Sequence, residues 1–270
     1  MWNPTARAQY SRAGLRYGSD VTDAEWQLIG PHLPAPSRRG RKRRWLLREI
    51  VNAIFYVLRT GCQWRQLPDS FPPWRAIWRW FARLRDDGLF ERLNHALVQA
   101  DRVRVGRAPE PSAAVIDSQS AKGSEAGGPS GYDAAKKVKG RKRQAMCDTD
   151  GRLLEVQVQS ADTQDRDGAV PVLKASRARH PFVELAYADS AYNSERVACA
   201  TSIVIQLVRK LADQVGFAVH PRRWVIERMF AILGRNRRLA RDYEATIKSA
   251  TAIYYAASVM SLSRRITRYA

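Results

Sequence analysis

The spacing of the apolar residues changes at Pro109-Glu-Pro111, and no single regular architecture accommodates both sides of that change. Before it, over residues 20–105, apolar positions recur at helical spacing. After it, short apolar runs of strand length alternate with helical stretches. The pattern predicts an all-helical module over residues 20–105 followed by an α/β domain over residues 106–270. Residues 1–19 read as a loosely ordered basic tail.

Within the first part, Thr22-Asp-Ala-Glu25 has the form of a capping box, and Pro31 and Pro34 end the segment it opens. Ser37–Arg44, SRRGRKRR, is a basic linker that suits either solvent or phosphate. Residues 45–60 form an apolar helix closed by Gly61. A helix is expected over Pro72–Asp86. At 100° per residue it gathers Trp74, Ile77, Trp78, Phe81 and Leu84 on one face, a core stripe. Arg75, Arg79 and Arg83 make a row on the opposite face, which suits either an ordinary solvated face or a helix presented to a DNA groove. Leu89–Val103 is the last helix of this module.

Beyond the boundary, residues 113–118 (AAVIDS) read as a strand ending on Asp117. A long polar loop, Gly123–Gly140, runs into the basic stretch KKVKGRKR, which contains Lys136, Lys137, Lys139, Arg141, Lys142 and Arg143. A loop of this length and charge is expected to be mobile and to order on DNA. Strands Gln144–Cys147 and Leu153–Gln159 form a hairpin about Asp148-Thr-Asp-Gly151. A helix over Asp165–Arg177, a strand over Val183–Ala188, a short helix near Ser194–Ala200 and a strand over Ile203–Val208 follow. Helices Arg222–Leu239 and Ala245–Ile266 close the chain. This order describes a mixed sheet flanked by helices and fits the ribonuclease H-like architecture.

Lysine and arginine number 46 against 26 acidic residues, a formal net charge of +20 in 270 residues. On a chain that is 45% hydrophobic, and so able to build a core, this charge points to a polyanionic partner, nucleic acid ahead of membrane. No apolar run approaches membrane-spanning length, and MWNPTARAQYSR lacks a signal peptide's apolar core. The three cysteines and four histidines show no zinc-site or disulfide spacing, which suits a reducing cytoplasm.

Against that basic background three acids stand out. AAVID stops on Asp117 and VELAYAD on Asp189. Sites in α/β sheets gather at the carboxyl ends of strands. In RRWVIERMFAILGRNRRLARDYE, Glu227 lies opposite the apolar side made by Val225, Ile226, Met229, Ile232 and Leu233, with Arg223 one turn before it. The plain alternative is an Arg223–Glu227 surface ion pair. Three carboxylates in a +20 chain suit Mg²⁺ or Mn²⁺, for which carboxylate and water oxygens are the ligands. Two such ions would serve phosphodiester chemistry. Asp162, Asp165 and Asp167 read instead as helix-start residues.

The segments VIDSQSAKG, GYDAAKKVKGRKR, SADTQDRDGA, AYADSAY and RRWVIERMFAILGRNRRLARDYE, in this order, resemble a bacterial DDE transposase of the insertion-sequence-five family. VTDAEWQLIGPHLP and REIVNAIFYVLRTGCQWRQLPDSFPPW resemble the helical domain that precedes catalysis in those enzymes. The likeness spans about residues 20–265. It implies a ribonuclease H-like catalytic domain with Asp117, Asp189 and Glu227 in the three acid positions, as catalytic residues and metal ligands. It also implies Mg²⁺ or Mn²⁺, two ions, recognition of transposon ends in double-stranded DNA, strand cleavage and transfer, and a homo-oligomer on DNA. The family's signature around the glutamate carries tyrosine and lysine where this chain has His220 and Gly234, so Arg235 or Arg238 would supply the missing cation. Arg223, Arg235 and Arg238 join the expected DNA contacts. The other class of function that fits is a catalytically inactive DNA-binding repressor derived from a transposase.

Overall fold

The structure, a computed structural model, describes residues 3–36, 42–208 and 223–268. Five helices come first: α1 (Pro4–Gln9), α2 (Asp23–Ile29), α3 (Leu47–Thr60), α4 (Trp74–Asp86) and α5 (Leu89–Arg104). The capping box at α2 is closed. Thr22 accepts from the Glu25 amide, and the Glu25 carboxylate accepts from the Thr22 amide. In the stretch expected as a tail, Arg12 pairs with Glu25 at 2.7 Å and Tyr17 stacks on Phe71. Of the basic linker, residues 37–41 lie outside the described residues, and Arg43 and Arg44 sit over the rings of Trp80 and Trp45.

α3 buries Ile50, Val51, Ile54, Phe55 and Leu58, each worth about 1.5–3 kcal/mol relative to exposure. Gly61 ends it in the left-handed region, φ +74°, and a Cβ there would lie 3.0 Å from the Cβ of Arg237. Glycine thus both caps the helix and admits a turn from the far end of the chain. On α4 the buried stripe is Ile77, Phe81 and Leu84. Trp78, expected within it, is 45% exposed. It lies a full 100° round from Ile77, beyond the narrow stripe that the neighbouring helices cover.

The second part contains β1 (Ala113–Lys122), β2 (Gly131–Asp133), β3 (Val138–Asp148), β4 (Leu153–Ser160), α6 (Asp165–Arg179), β5 (Leu185–Ala188), α7 (Glu195–Ala198), β6 (Val204–Leu207), α8 (Trp224–Gly234) and α9 (Ile247–Arg268). The sheet runs β2-β3-β1-β5-β6, and β4 also pairs with β3. β1, β3 and β4 are antiparallel, whereas β1, β5 and β6 are parallel. The fold is mixed α/β with helices in front, as expected. α9 packs on β4 and along α5, so one continuous core joins the helical part to the sheet.

Two expectations are corrected here. β1 does not stop at Asp117; it continues to Lys122, held by β3 through Lys122↔Gly140. The stretch read as a mobile polar loop ending at Arg143 contains β2 and the first half of β3. Arg141, Lys142 and Arg143 are buried. Arg141 donates to the carbonyls of Pro129 and Glu244 and pairs with Asp242. Lys142 pairs with Asp165 at 2.9 Å and Asp133 at 3.5 Å. Arg143 donates to the Leu239 carbonyl and lies over the Tyr254 ring. Each cation is satisfied inside the protein, so these three are fold-holding residues and not DNA contacts. Gly140 permits the crossing: a Cβ there would lie 2.1 Å from the Ala121 carbonyl oxygen.

Candidate active site and nucleic-acid face

The parallel register of β1 and β5 sets Val115 opposite Tyr187. Two residues on, the chain reaches Asp117 in β1 and Asp189 just past the end of β5. Residues two apart in an extended chain point to one side, so both carboxylates arrive together where β5 ends and β1 carries on. Asp189 caps the turn Ser190–Tyr192, its Oδ1 accepting from the Ala191 amide at 2.9 Å. Oδ1 of Asp117 accepts from the Ser118 amide at 2.7 Å. The remaining oxygens converge on one cation: Nη2 of Arg223 lies 3.4 Å from Asp117 Oδ2 and 3.5 Å from Asp189 Oδ2.

Arg223 is the N-cap residue of α8. It pairs with the two aspartates in place of the plain Arg223–Glu227 pair, and it stays half-buried at the site's edge. Glu227 follows one turn later, about 6 Å along the axis, on the exposed side of α8. The buried side is Val225, Ile226, Met229, Phe230 and Leu233, with Ile232 turned out to 37% exposure. His220 lies outside the described residues.

Burial pushes the Asp117 carboxyl above its ordinary range, more than the Ser118 amide and Arg223 pull it down, and the charge of Asp189 adds to the rise. Burial likewise raises the Tyr192 phenol well above its ordinary value, helped by the charges of Asp117, Asp165 and Asp189. These are the marks of carboxylates gathered for a cation. With Oδ1 of each held by a backbone amide, the donor set left over is hard oxygen on both sides of a positive group. That set fits a divalent ion of the magnesium class.

Sequence reasoning missed the wall of the site. Lys136 Nζ donates to the Ser118 carbonyl at 2.9 Å and bonds the Ser118 hydroxyl at 2.7 Å. The Ser118 hydroxyl also donates to Asp165 in the first turn of α6, at 2.8 Å. Gln144 donates to the Tyr192 hydroxyl at 2.6 Å. The one signal was the Ser that follows Asp117 together with a helix-start Asp; nothing in the spacing joined them.

A separate face carries the arginine row. Arg75, Arg79 and Arg83 are exposed on α4. Arg75 and Arg79, with Trp74 and Trp78, line a cleft of about 870 Å³ whose other walls include Arg65, Ser124, Arg241 and Tyr243. Lys137 and Lys139 are exposed on the turn into β3 and on β3 itself, and Arg235 is exposed after α8. Arg238, expected as a DNA contact and as the missing cation, is corrected: it is buried, bonded to Glu244 at 2.7 Å and to the Cys62 carbonyl. Arg238 borders the cleft from this buried position, and Arg241, in the same RRLAR run, is exposed beside it. Among the described residues no helix is long and apolar enough to cross a membrane.

Two family models match separate stretches of the chain. A family model described as "Putative transposase of IS4/5 family" matches residues 21–94. A second, "Transposase DDE domain", matches residues 108–262. The "Insertion element IS402 uncharacterized 16.2 kDa protein" of Burkholderia cepacia is 33% identical over 114 residues, 40% of this chain and 76% of its own length. No solved structure matches significantly. With more than half of its length matched by the catalytic-domain model, the chain belongs to the DDE transposase family.

Proposed function

We propose that this transposase binds the ends of an insertion sequence as double-stranded DNA and cuts and joins strands at Asp117, Asp189 and Glu227. The observation that carries the reading is the convergence of Asp117 and Asp189 on one cation position in matched register of parallel strands. The strand order, with antiparallel β1, β3 and β4 beside parallel β5 and β6, supports a ribonuclease H-like catalytic domain spanning 106–270, behind a helical DNA-binding module spanning 20–105.

Asp117 and Asp189 would hold Mg²⁺ or Mn²⁺ through Oδ2, and Glu227, one helical turn beyond Arg223, would complete a second ion's ligands. Bound there, such ions polarise a phosphodiester and make water or a hydroxyl a better nucleophile. The chain's own part is to orient. The Ser118 and Ala191 amides fix the two carboxylates, and Lys136 fixes Ser118. Arg223 balances their charge and, with ions bound between the aspartates, would be free to turn to a phosphate. In the first transfer, water adds to phosphorus and the bond to the 3′ oxygen breaks, freeing a 3′-OH. In the second, that hydroxyl adds to a target phosphodiester and displaces the target's own 3′ oxygen.

DNA would lie along α4 and the cleft beside it, with Arg75, Arg79, Arg83 and Arg241 on phosphates and Lys137, Lys139 and Arg235 at the margin. Replacing Arg75, Arg79 and Arg83 together by glutamine should lower the slope of log K against log salt by roughly 0.9 for each phosphate no longer neutralised. An unchanged slope would return the row to solvent. The decisive experiment incubates the protein with duplex carrying the element's ends, with and without Mg²⁺. Mg²⁺-dependent nicking at the end supports the enzyme. Tight end binding with no nicking supports a repressor instead.

A further inference from the structure

Away from the paired aspartates, His95 on α5, Glu110 in the Pro109-Glu-Pro111 hinge and His180 just after α6 bring one ligand atom each to within 4.8 Å of one another. Among the described residues no other histidine, cysteine and carboxylate group meets this closely. The imidazole rings are 4.9 Å apart, tilted by 44°. Glu110 lies between them, Oε2 being 3.3 Å from His180 Nδ1 and Oε1 3.5 Å from His95 Nε2.

We propose that His95, Glu110 and His180 form a Zn²⁺ site that clips the helical module to the sheet. Two imidazoles and one carboxylate are a recognised zinc donor set that leaves a fourth position for water. Magnesium-class ions prefer oxygen, so this site and the paired aspartates select different metals. His180 Nδ1 faces the Glu110 carboxylate, so a metal bound there takes the place of the proton they share. The Leu154 backbone hydrogen-bonds the His180 ring. Buried His95 Nδ1 has no partner. A histidine placed only for hydrogen bonding would not leave a buried ring nitrogen unsatisfied. A metal-bound ring gains an acidic outer N–H and draws a nearby carbonyl to it. Gln99 Nε2 sits 2.6 Å from Glu110 and 3.1 Å from His95 Nε2; on metal binding its amide must turn away from the His95 lone pair.

The three ligands come from α5, the hinge and the end of α6. One ion there adds a direct tie between segments already joined by packing and hydrogen bonds, and metal binding that requires the folded arrangement stabilises it.

The test is calorimetric titration of the full-length, chelator-treated protein with ZnCl2, beside thermal unfolding. One ion per chain with micromolar or tighter affinity, and a higher melting temperature with zinc, are expected. His95→Gln, on a partly exposed helix face, should lose at least about tenfold in affinity and the zinc-dependent gain in melting temperature. His180→Asn should do the same; if it fails to fold, His95→Gln decides. His32→Gln, in the turn after α2, should bind as the wild type does. No saturable binding by the wild type overturns the site, as does equal binding by His95→Gln. Because the readout is binding and melting, it stands or falls apart from DNA cleavage.

Discussion

Asp117→Asn should abolish Mg²⁺-dependent nicking, by about a thousandfold or more, while end binding stays intact or tightens. A loss of that size corresponds to about 4 kcal/mol of transition-state stabilisation, the scale of removing a charge from a preorganised electrostatic site. Asparagine keeps the shape and leaves one neutral acceptor where an ionised Oδ2 faced Arg223. The fold should not suffer. Burial raises the Asp117 carboxyl above its ordinary value, so in the folded state the neutral form is favoured relative to the unfolded chain. The stabilising contribution of that group is present at low pH and is lost as pH rises through its raised folded value. At neutral pH a permanently neutral side chain removes that cost, so the variant should melt at the same temperature or higher. Lower melting together with lost binding would make Asp117 structural. Glu227→Gln belongs with it: it should remove cleavage without unfolding the chain, because Glu227 is exposed on α8. Glu195→Gln and Glu244→Gln are the comparison. Glu195 starts the short α7 and should retain most activity. Glu244 holds buried Arg238 at 2.7 Å, so its loss should appear in melting before chemistry.

Gel shift and nicking on the same preparations read out these variants. Their contrast also shows where sequence reasoning reached its limit. The capping box at Thr22 and Glu25 and the stop at Gly61 were legible because each depends on neighbours within a few residues. Asp189 was legible because a four-residue apolar strand ends at Ala188. Asp117 was found for a reason that does not hold. Its strand does not end there; it is the parallel partner β5 that ends, and only the register brings the two acids together.

The basic run Lys136–Arg143 misled for the opposite reason. Its local composition is that of a solvated loop. The groups that bury it are Asp133, Asp165 and Asp242 and the carbonyls of Pro129, Leu239 and Glu244. Several of these lie far away in sequence, and no local pattern announces them. The run divides by what the rest of the fold presents to each cation, so Lys137 and Lys139 remain outside while the consecutive Arg141, Lys142 and Arg143 are all buried. The same long-range pairing explains Arg223. Its position one turn before Glu227 suggested a local ion pair, but the aspartates from two strands offer two oxygens at once, and helical neighbours offer one.

Arg152→Leu should destabilise the protein by about 3–5 kcal/mol, the range for breaking a buried ion pair from one side. The Arg152 side chain is fully buried, and so are its partners Asp101 and Asp148. Nε donates to Asp101 at 2.7 Å, and Nη1 donates to Asp148 at 2.8 Å and to Asp150 at 2.7 Å. These acids raise its pKa further, against the desolvation that would lower it. The cluster sits where the β3–β4 turn meets α5 and α9: Arg102 pairs with Asp148, and Arg104 and Arg265 pair with Asp101. These remaining cations keep the cost from rising further, while Arg152 pairs with both carboxylates at once. Leucine fills much of the volume, so most of the loss is electrostatic and from unmade hydrogen bonds, not from a cavity. The control is Arg196→Ala. Arg196 also makes a short pair, 2.6 Å to Asp167, but with side chains 70% and 38% exposed. Exposed pairs are worth at most about 1 kcal/mol, so that variant should stay within about 0.5 kcal/mol of wild type. Urea unfolding of the two variants at one pH decides it. A midpoint for Arg152→Leu as close to wild type as that of Arg196→Ala would mean that the buried cluster does not hold the helical module to the sheet.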